Sequence, residues 1–176
     1  MSDSKFELTS ETKIVGVRTL HRIRALRDIP RWGVKSGDLG GWLESERNLA
    51  QSGGAWVSGD AWVYGGAQVS GDAWVSGDAW VSGDAQVSEP SHVLTVGPVG
   101  SEGCTATLHR TITGHALHVG CWRNGTVDAL PAEVERRAAD WTGSDADMQR
   151  WRAEYQALIP LFRLRAASFH TEGETA

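Results

Sequence analysis

The 176-residue chain contains only two cysteines, Cys104 and Cys121, which is too few for a disulfide scaffold and favours a reducing cytosol. The N-terminal stretch MSDSKFELTSETK lacks the apolar core of a signal peptide, and no apolar run reaches membrane-spanning length. The net charge of −5 argues against binding to nucleic acid or to a membrane surface. These absences favour a cytoplasmic protein with no membrane partner.

Lysine, tyrosine and phenylalanine are also scarce. The 17 basic residues are 14 Arg and 3 Lys, and nine Trp stand against two Tyr and three Phe. Arginine and tryptophan are the side chains most typical of binding interfaces. The composition therefore directs attention to where the Trp and Arg residues lie.

Four of the nine tryptophans belong to a six-residue repeat in GAWVSGDAWVYGGAQVSGDAWVSGDAWVSGDAQVS, within residues 51–88. In each unit, Ala-Trp-Val or Ala-Gln-Val predicts a short strand with Ala and Val on one face, and Gly-Asp predicts the corner that follows. One unit cannot bury its aliphatic face alone, so three units should form a triangular coil of eighteen residues that stacks on the next coil. The valines fill the interior of such a coil.

This repeat resembles the left-handed parallel β-helix of hexapeptide-repeat proteins. The resemblance implies a mainly β fold with a short left-handed β-helix of about two coils. The residues on either side add a β-rich N-terminal cap and a C-terminal β-hairpin plus two helices. We predict the following segments: a flexible N-terminus over 1–12, the cap over 13–50, the β-helix over 51–90, the hairpin and helical module over 91–168, and a flexible tail over 169–176.

An eighteen-residue coil places identical side chains above each other on its outer walls. The pairs are Trp56 with Trp74, Trp62 with Trp80, and Gln68 with Gln86. Outward indoles need a cover, since each carries roughly 150–250 Å² of surface. Three covers stay open: the chain's own C-terminal segment, a second copy of the chain, or a ligand or partner. The six residues of these walls are the predicted binding and interface residues.

The segment before the repeats, residues 13–50, is basic and predicts a short β-meander that caps the first coil. Arg22 and Arg24 lie on the same side of one predicted strand and are candidate anion-binding residues. The alternative is that these arginines pair with acids of the same chain; the candidates are Glu44, Glu46, Asp60, Asp72, Asp78 and Asp84.

Beyond the repeats, CTATLHRTITGHALHVGCW predicts a hairpin with its turn at Thr113-Gly114, which sets His109 opposite His118. Two histidines are fewer than the ligands that zinc needs, so we expect no metal. In this register Cys104 and Cys121 are two positions apart, and both are interpreted as small core residues.

Two helices follow the hairpin. Thr126 is the predicted N-cap of the first, and the second begins near Asp145, with Pro160 expected to kink or divide it. Its apolar residues recur every three or four positions, which predicts a core or interface stripe. They are Met148, Trp151, Tyr155, Leu158, Ile159 and Phe162.

The phrases RIRALRDIPRWGVKSGDLGGWLESERNLAQSGGAWV and GCWRNGTVDALPAEV resemble a group of small bacteriophage and prophage proteins with a short hexapeptide β-helix. The resemblance implies this fold and a host-cell cytoplasmic setting, with no settled activity. We expect a non-enzymatic phage accessory protein that forms a homo-oligomer and binds a host protein or a small anionic ligand, as a host-takeover or anti-defence factor. The alternative is a structural or virion-assembly component.

A second alternative is an acyltransferase, because many hexapeptide-repeat proteins are acyl-CoA enzymes. Residues 51–88 contain no histidine to act as a general base, and no inserted loop interrupts the repeats. P-loop, nucleophile-elbow and calcium-loop patterns are also lacking. We therefore predict neither an enzyme nor a bound cofactor.

Overall fold

The structure is a computed structural model that describes residues 4–169, and these residues are mainly β with two α-helices near the C-terminal end. The chain divides into an N-terminal unit that ends at Val93 and a C-terminal unit that begins at Leu94. No helix within residues 4–169 is long and apolar enough to cross a membrane.

The N-terminal unit opens with three strands, β1 (Phe6–Val15), β2 (Arg18–Ala25) and β3 (Leu39–Leu43), and neighbours in this series pair antiparallel. The prediction of a flexible segment over residues 1–12 is wrong for residues 6–12, which belong to β1; residues 1–3 lie outside the described range. The segment is polar, but Phe6 is buried, and backbone pairing with β2 holds the remaining residues.

The repeats form six two-residue strands, each three units from its partner. They are β4 (Trp56–Val57), β5 (Trp62–Val63), β6 (Gln68–Val69), β7 (Trp74–Val75), β8 (Trp80–Val81) and β9 (Gln86–Val87). β4 pairs in parallel with β7, β5 with β8, and β6 with β9. The predicted stacking of residues eighteen apart is therefore confirmed.

Parallel pairing begins before the first predicted unit. β3 pairs in parallel with β5, with Trp42 opposite Trp62, so that one wall continues into a mixed five-stranded sheet of order β1-β2-β3-β5-β8. Leu49 also forms a parallel bridge to Val69. The cap is thus joined to the repeats through backbone hydrogen bonds as well as through side chains.

The aliphatic face of the repeats is buried, as predicted. The six repeat valines are 0% exposed, and the six repeat alanines are no more than 1% exposed. Full burial of a valine side chain contributes roughly 1.5–3 kcal/mol. At the corners, Gly71 has φ +59°, and an added Cβ would lie 2.5 Å from the Ser88 carbonyl oxygen, so the close stacking of coils requires glycine there.

The C-terminal unit is a four-stranded sheet in the order β10 (Val93–Val99), β11 (Cys104–Thr111), β12 (Gly114–Val119) and β13 (Trp122–Gly125). Helices α1 (Leu130–Ala139) and α2 (Asp145–Ala166) follow it. The predicted apolar stripe of α2 packs in one core cluster with the apolar residues of β11 and β12.

The helix boundaries agree in part with expectation. The Thr126 hydroxyl accepts a hydrogen bond from the Ala129 amide and caps the 3-10 turn that leads into α1. Pro160, expected to kink or divide the second helix, does not divide it, because α2 runs through it. Phe169, expected to start a flexible tail, is buried in the core; residues 170–176 lie outside the described range.

The β11–β12 hairpin is shifted by two residues from the predicted register. Its turn is Ile112-Thr113, so that His109 lies opposite Ala116 and not opposite His118. A shift of two residues keeps every side chain on its predicted face, because the side-chain period of a strand is two. The faces were therefore predicted correctly and the cross-strand partners were not.

Candidate functional site

The first tryptophan wall is covered by residues that precede the repeats. Trp56 is 1% exposed, and the Trp32 ring lies against Trp74 with centroids 5.0 Å apart. Leu8 and Trp32 pack on the same core cluster. Trp56 is thus covered by residues that precede the repeats, a cover that was not among the three left open by the sequence.

The second wall is an aromatic stack with a cationic cover. Trp62 and Trp80 are stacked, with centroids 4.5 Å apart and an interplanar angle of 14°. Trp42 continues the wall, and Lys13 Nζ lies 4.5 Å from its ring centroid and 5.0 Å from that of Trp62. Such cation–π contacts contribute about 0.5–1 kcal/mol each at exposed sites. This wall is half-buried.

The third wall is the most polar. Gln68 lies opposite Gln86 in the parallel register, as the coil length predicted. Gln68 is exposed and Gln86 is half-buried. Amide side chains stacked in this way can form a hydrogen-bonded ladder, which suits a solvated face.

The two arginines predicted as an anion site are paired with carboxylates of the chain. Arg22 lies 3.5 Å from Asp60 and stacks on Trp42, whereas Arg24 binds Glu7 with Nε 2.8 Å from a carboxylate oxygen. The structure contains the internal pairing that the sequence left open. Three of the proposed acids are used: Asp60 as above, Glu44 with Arg18, and Asp72 with Arg31. Arg22 and Arg24 do not form a joint anion site here.

The predicted histidine pair is real despite the register shift. The Nε2 atoms of His109 and His118 are 3.0 Å apart, and both residues are buried. One ring must donate and the other accept, so the pair carries at most one extra proton. Burial, the neighbouring His109 and Arg123 together lower the pKa of His118 to about 3. Residues 4–169 contain no cluster of three potential metal ligands.

A cavity of about 320 Å³ within the C-terminal unit was not predicted from the sequence. Its aromatic walls come from three regions that are distant along the chain: Trp122 from β13, Trp141 from the loop after α1, and Trp151 and Tyr155 from α2. Pockets that bind small molecules begin near this size and combine aromatic walls with a few polar groups. It is the strongest candidate site in the described part of the chain.

Trp151 gives the cavity its specific polar feature. The residue is 2% exposed, and its indole Nε1 is buried with no hydrogen-bond acceptor among the described residues. The rings of Trp141 and Tyr155 meet it edge-on, with centroids 5.9 and 6.2 Å away. By contrast, Trp141 Nε1 donates to the Ser144 carbonyl at 3.0 Å. A buried donor without an acceptor costs about 1–3 kcal/mol, so Trp151 favours a ligand that brings an acceptor.

One side of the cavity carries a charged network built on α1. Glu133 accepts hydrogen bonds from Arg136 and Arg137 at 2.7–2.8 Å, and these contacts, Arg136 first, lower the pKa of Glu133 to about 2. Arg137 also donates to the Cys121 sulfur at 3.0 Å. Spacings of three and four residues on a helix bring these side chains together.

The expectation that both cysteines are small core residues is wrong. Cys104 is half-buried, Cys121 is exposed, and both line the cavity. Because β11 and β12 pair two residues away from the expected register, Cys104 and Cys121 each lie two residues from the Ala106–Val119 pair. The sequence signal that could have found the cavity is the Trp151–Tyr155 stripe, which alone does not distinguish a packed core from a site.

Comparisons with protein-family models and with curated proteins find no match to this chain.

Proposed function

We propose that this chain is a non-catalytic binding protein whose C-terminal cavity holds a small ring-shaped molecule with a hydrogen-bond acceptor. The observation that carries the proposal is an aromatic-walled cavity of about 320 Å³ whose lining includes Trp151, a residue whose buried Nε1 has no acceptor among the described residues. A cavity of this volume suits a molecule of one or two rings.

The charges around the cavity favour a neutral ligand over a strongly anionic one. Arg136 and Arg137 line it, but Glu133 binds both of them, and Glu102 and Asp140 add two further carboxylates. Three negative groups against two positive ones give no net attraction for an anion. A carbonyl oxygen on an uncharged ring can accept a hydrogen bond from Trp151 Nε1 and adds no negative charge beside these carboxylates.

The test is isothermal titration calorimetry with three probes that share one ring system: indole-3-carboxaldehyde, indole-3-carboxylate and indole. We expect the neutral aldehyde to bind most tightly, since it alone combines an acceptor with no charge.

Trp151→Phe keeps an aromatic ring and removes the donor, and should weaken aldehyde binding roughly 5-fold, the value of one hydrogen bond of about 1 kcal/mol. Trp80→Phe is the control, because Trp80 lies in the other unit. No saturable binding of any probe, or equal affinities for wild type and Trp151→Phe, would contradict the proposal.

For the N-terminal unit, we propose that the repeats form the short left-handed parallel β-helix that the sequence resembles. The eighteen-residue parallel register on three walls supports this assignment. The β-helix then acts as a rigid scaffold with its valines inside. An experimental electron-density map that traces a right-handed winding would exclude it.

We further propose that the protein is a phage accessory factor in the host cytoplasm that self-associates through the Trp62–Trp80 wall and engages a host protein. The half-buried indoles and the resemblance to phage proteins support this setting. Trp80→Gln is the matched substitution, because Gln68 and Gln86 of the third wall occupy the same position of the repeat. Light scattering should then show a lower mass for Trp80→Gln than for wild type; equal masses would exclude assembly through this wall. A pull-down from lysogenic cells tests the host partner.

A further inference from the structure

Two thiols lie together at the charged side of the cavity. Cys104 begins β11, and Cys121 lies in the turn Gly120-Cys121 between β12 and β13. Ala106 pairs with Val119, and Cys104 and Cys121 each lie two residues beyond this pair, Cys121 in a turn where Gly120 has φ +55°. The position of a Cβ on Gly120, the neighbour of Cys121, is 2.8 Å from the Cys104 sulfur. The two sulfurs therefore belong to one local site.

Directly opposite residues of an antiparallel pair have Cα atoms about 4.5–5.5 Å apart. A disulfide bond requires a Cα separation of about 4.4–6.8 Å. Cys104 and Cys121 lie two residues beyond the paired Ala106 and Val119, so disulfide closure requires the Gly120-Cys121 turn to bring the two Cα atoms within this range. The turn residue Cys121 is exposed and can be reached by a reagent from solution.

The two thiols have different surroundings. Arg137 Nη2 donates to the Cys121 sulfur at 3.0 Å, which sets a positive charge beside an exposed sulfur. Cys104 is half-buried beside Glu102, and burial first and this carboxylate second raise the pKa of its thiol. Cys121 is therefore the better attacking group and Cys104 the slower second thiol.

We propose that Cys104 and Cys121 form a dithiol site that reacts with low-molecular-weight disulfides and closes to an intramolecular disulfide. In the first step the Cys121 thiolate attacks one sulfur of the small disulfide, which releases one small thiolate and leaves a mixed disulfide on Cys121. In the second step the Cys104 thiolate attacks the Cys121 sulfur and releases the second small thiolate. The protein is oxidised by two electrons, the small disulfide is reduced, and the two protein protons end on the two released thiols. The two thiols line the cavity proposed to hold a ligand, but the reaction itself requires no bound ligand.

Glutathione disulfide is the probe, and intact-protein mass under non-reducing conditions is the measurement. Wild type should lose the mass of two hydrogens and retain no glutathione. Cys104→Ser should retain one glutathione, located on Cys121 by peptide mapping. Cys121→Ser should react at least about tenfold more slowly than Cys104→Ser, because it lacks the thiol beside Arg137.

Two further measurements keep the test decisive. Far-UV circular dichroism before treatment shows whether each variant is folded, and Arg137→Gln, which keeps both thiols, should slow the first step in a folded protein. In wild type, retained glutathione without closure would overturn the proposal, as would an unchanged mass. Equal rates for Cys104→Ser and Cys121→Ser would overturn the assigned order of attack.

Discussion

Replacing Lys5 with methionine should remove a specific pH dependence of stability. Lys5 is 0% exposed, and its Nζ donates to the Ala55 carbonyl oxygen at 2.7 Å. Burial, and secondarily the charge of Arg27, lowers the pKa of Lys5 from 10.5 to about 8. Because the ammonium group must leave water, the protonated form is less stable in the folded chain than in the unfolded one.

The size and sign of the effect follow from proton binding. The difference between 10.5 and about 8 corresponds to about 3 kcal/mol of destabilisation at neutral pH, where both states are protonated. Between these two values the unfolded chain holds a proton that the folded chain has lost, so the free energy of unfolding rises with pH. Integrating over this interval, about 2 kcal/mol of the destabilisation disappears between about pH 7 and about pH 9.5.

Urea unfolding followed by tryptophan fluorescence measures this effect, since six of the nine tryptophans lie in residues 1–93. The stability advantage of Lys5→Met over wild type should shrink by about 2 kcal/mol between about pH 7 and about pH 9.5. Lys35→Met is the matched control, because the Lys35 side chain is 68% exposed and pairs with Asp28 at the surface. If the difference between wild type and Lys5→Met stays constant with pH, Lys5 is not a buried cation and the reasoning fails.

Three further changes test the two units. Gly71→Ala should lower the free energy of unfolding by about 1–3 kcal/mol more than Gly77→Ala does. Both glycines have positive φ, but an added Cβ meets the Ser88 carbonyl oxygen at Gly71 and no described atom within 4 Å at Gly77. Asn48→Ala should lower the unfolding free energy by about 1–3 kcal/mol, since the buried Asn48 amide donates to two backbone carbonyls; an unchanged urea midpoint would contradict this. Glu133→Gln should abolish a loss of stability on acidification. The pKa of Glu133 is lowered from 4.5 to about 2, so the wild-type stabilisation is lost as pH falls through this range. Parallel profiles of melting temperature against pH for wild type and variant would refute the prediction.

Periodicity made much of the N-terminal unit predictable. Each repeat contains its own strand and corner, so the pairing of Trp56 with Trp74 follows from counting eighteen residues. The burial of the valines follows from the alternation of side chains in a strand. The hairpin faces were also predictable, because a shift of two residues does not change them.

The candidate site was not predictable in the same way. Trp122, Trp141 and Trp151 are separated by long stretches without a common motif, and they meet only because the sheet, α1 and α2 pack on one core. The register of Cys104 and Cys121 depended on which two residues form the β11–β12 turn, and the local sequence favoured Thr113-Gly114 over the observed Ile112-Thr113.

The amino-acid sequence by itself determined the eighteen-residue stacking, the valine interior and the like-on-like walls of Trp and Gln, because these depend on local geometry repeated along the chain. Only the tertiary structure decided that N-terminal residues cover Trp56, that the arginines are paired internally, and that two thiols and an unsatisfied indole share one cavity. Such contacts join residues far apart in the chain, and their partners are selected by packing and charge after the local elements have formed.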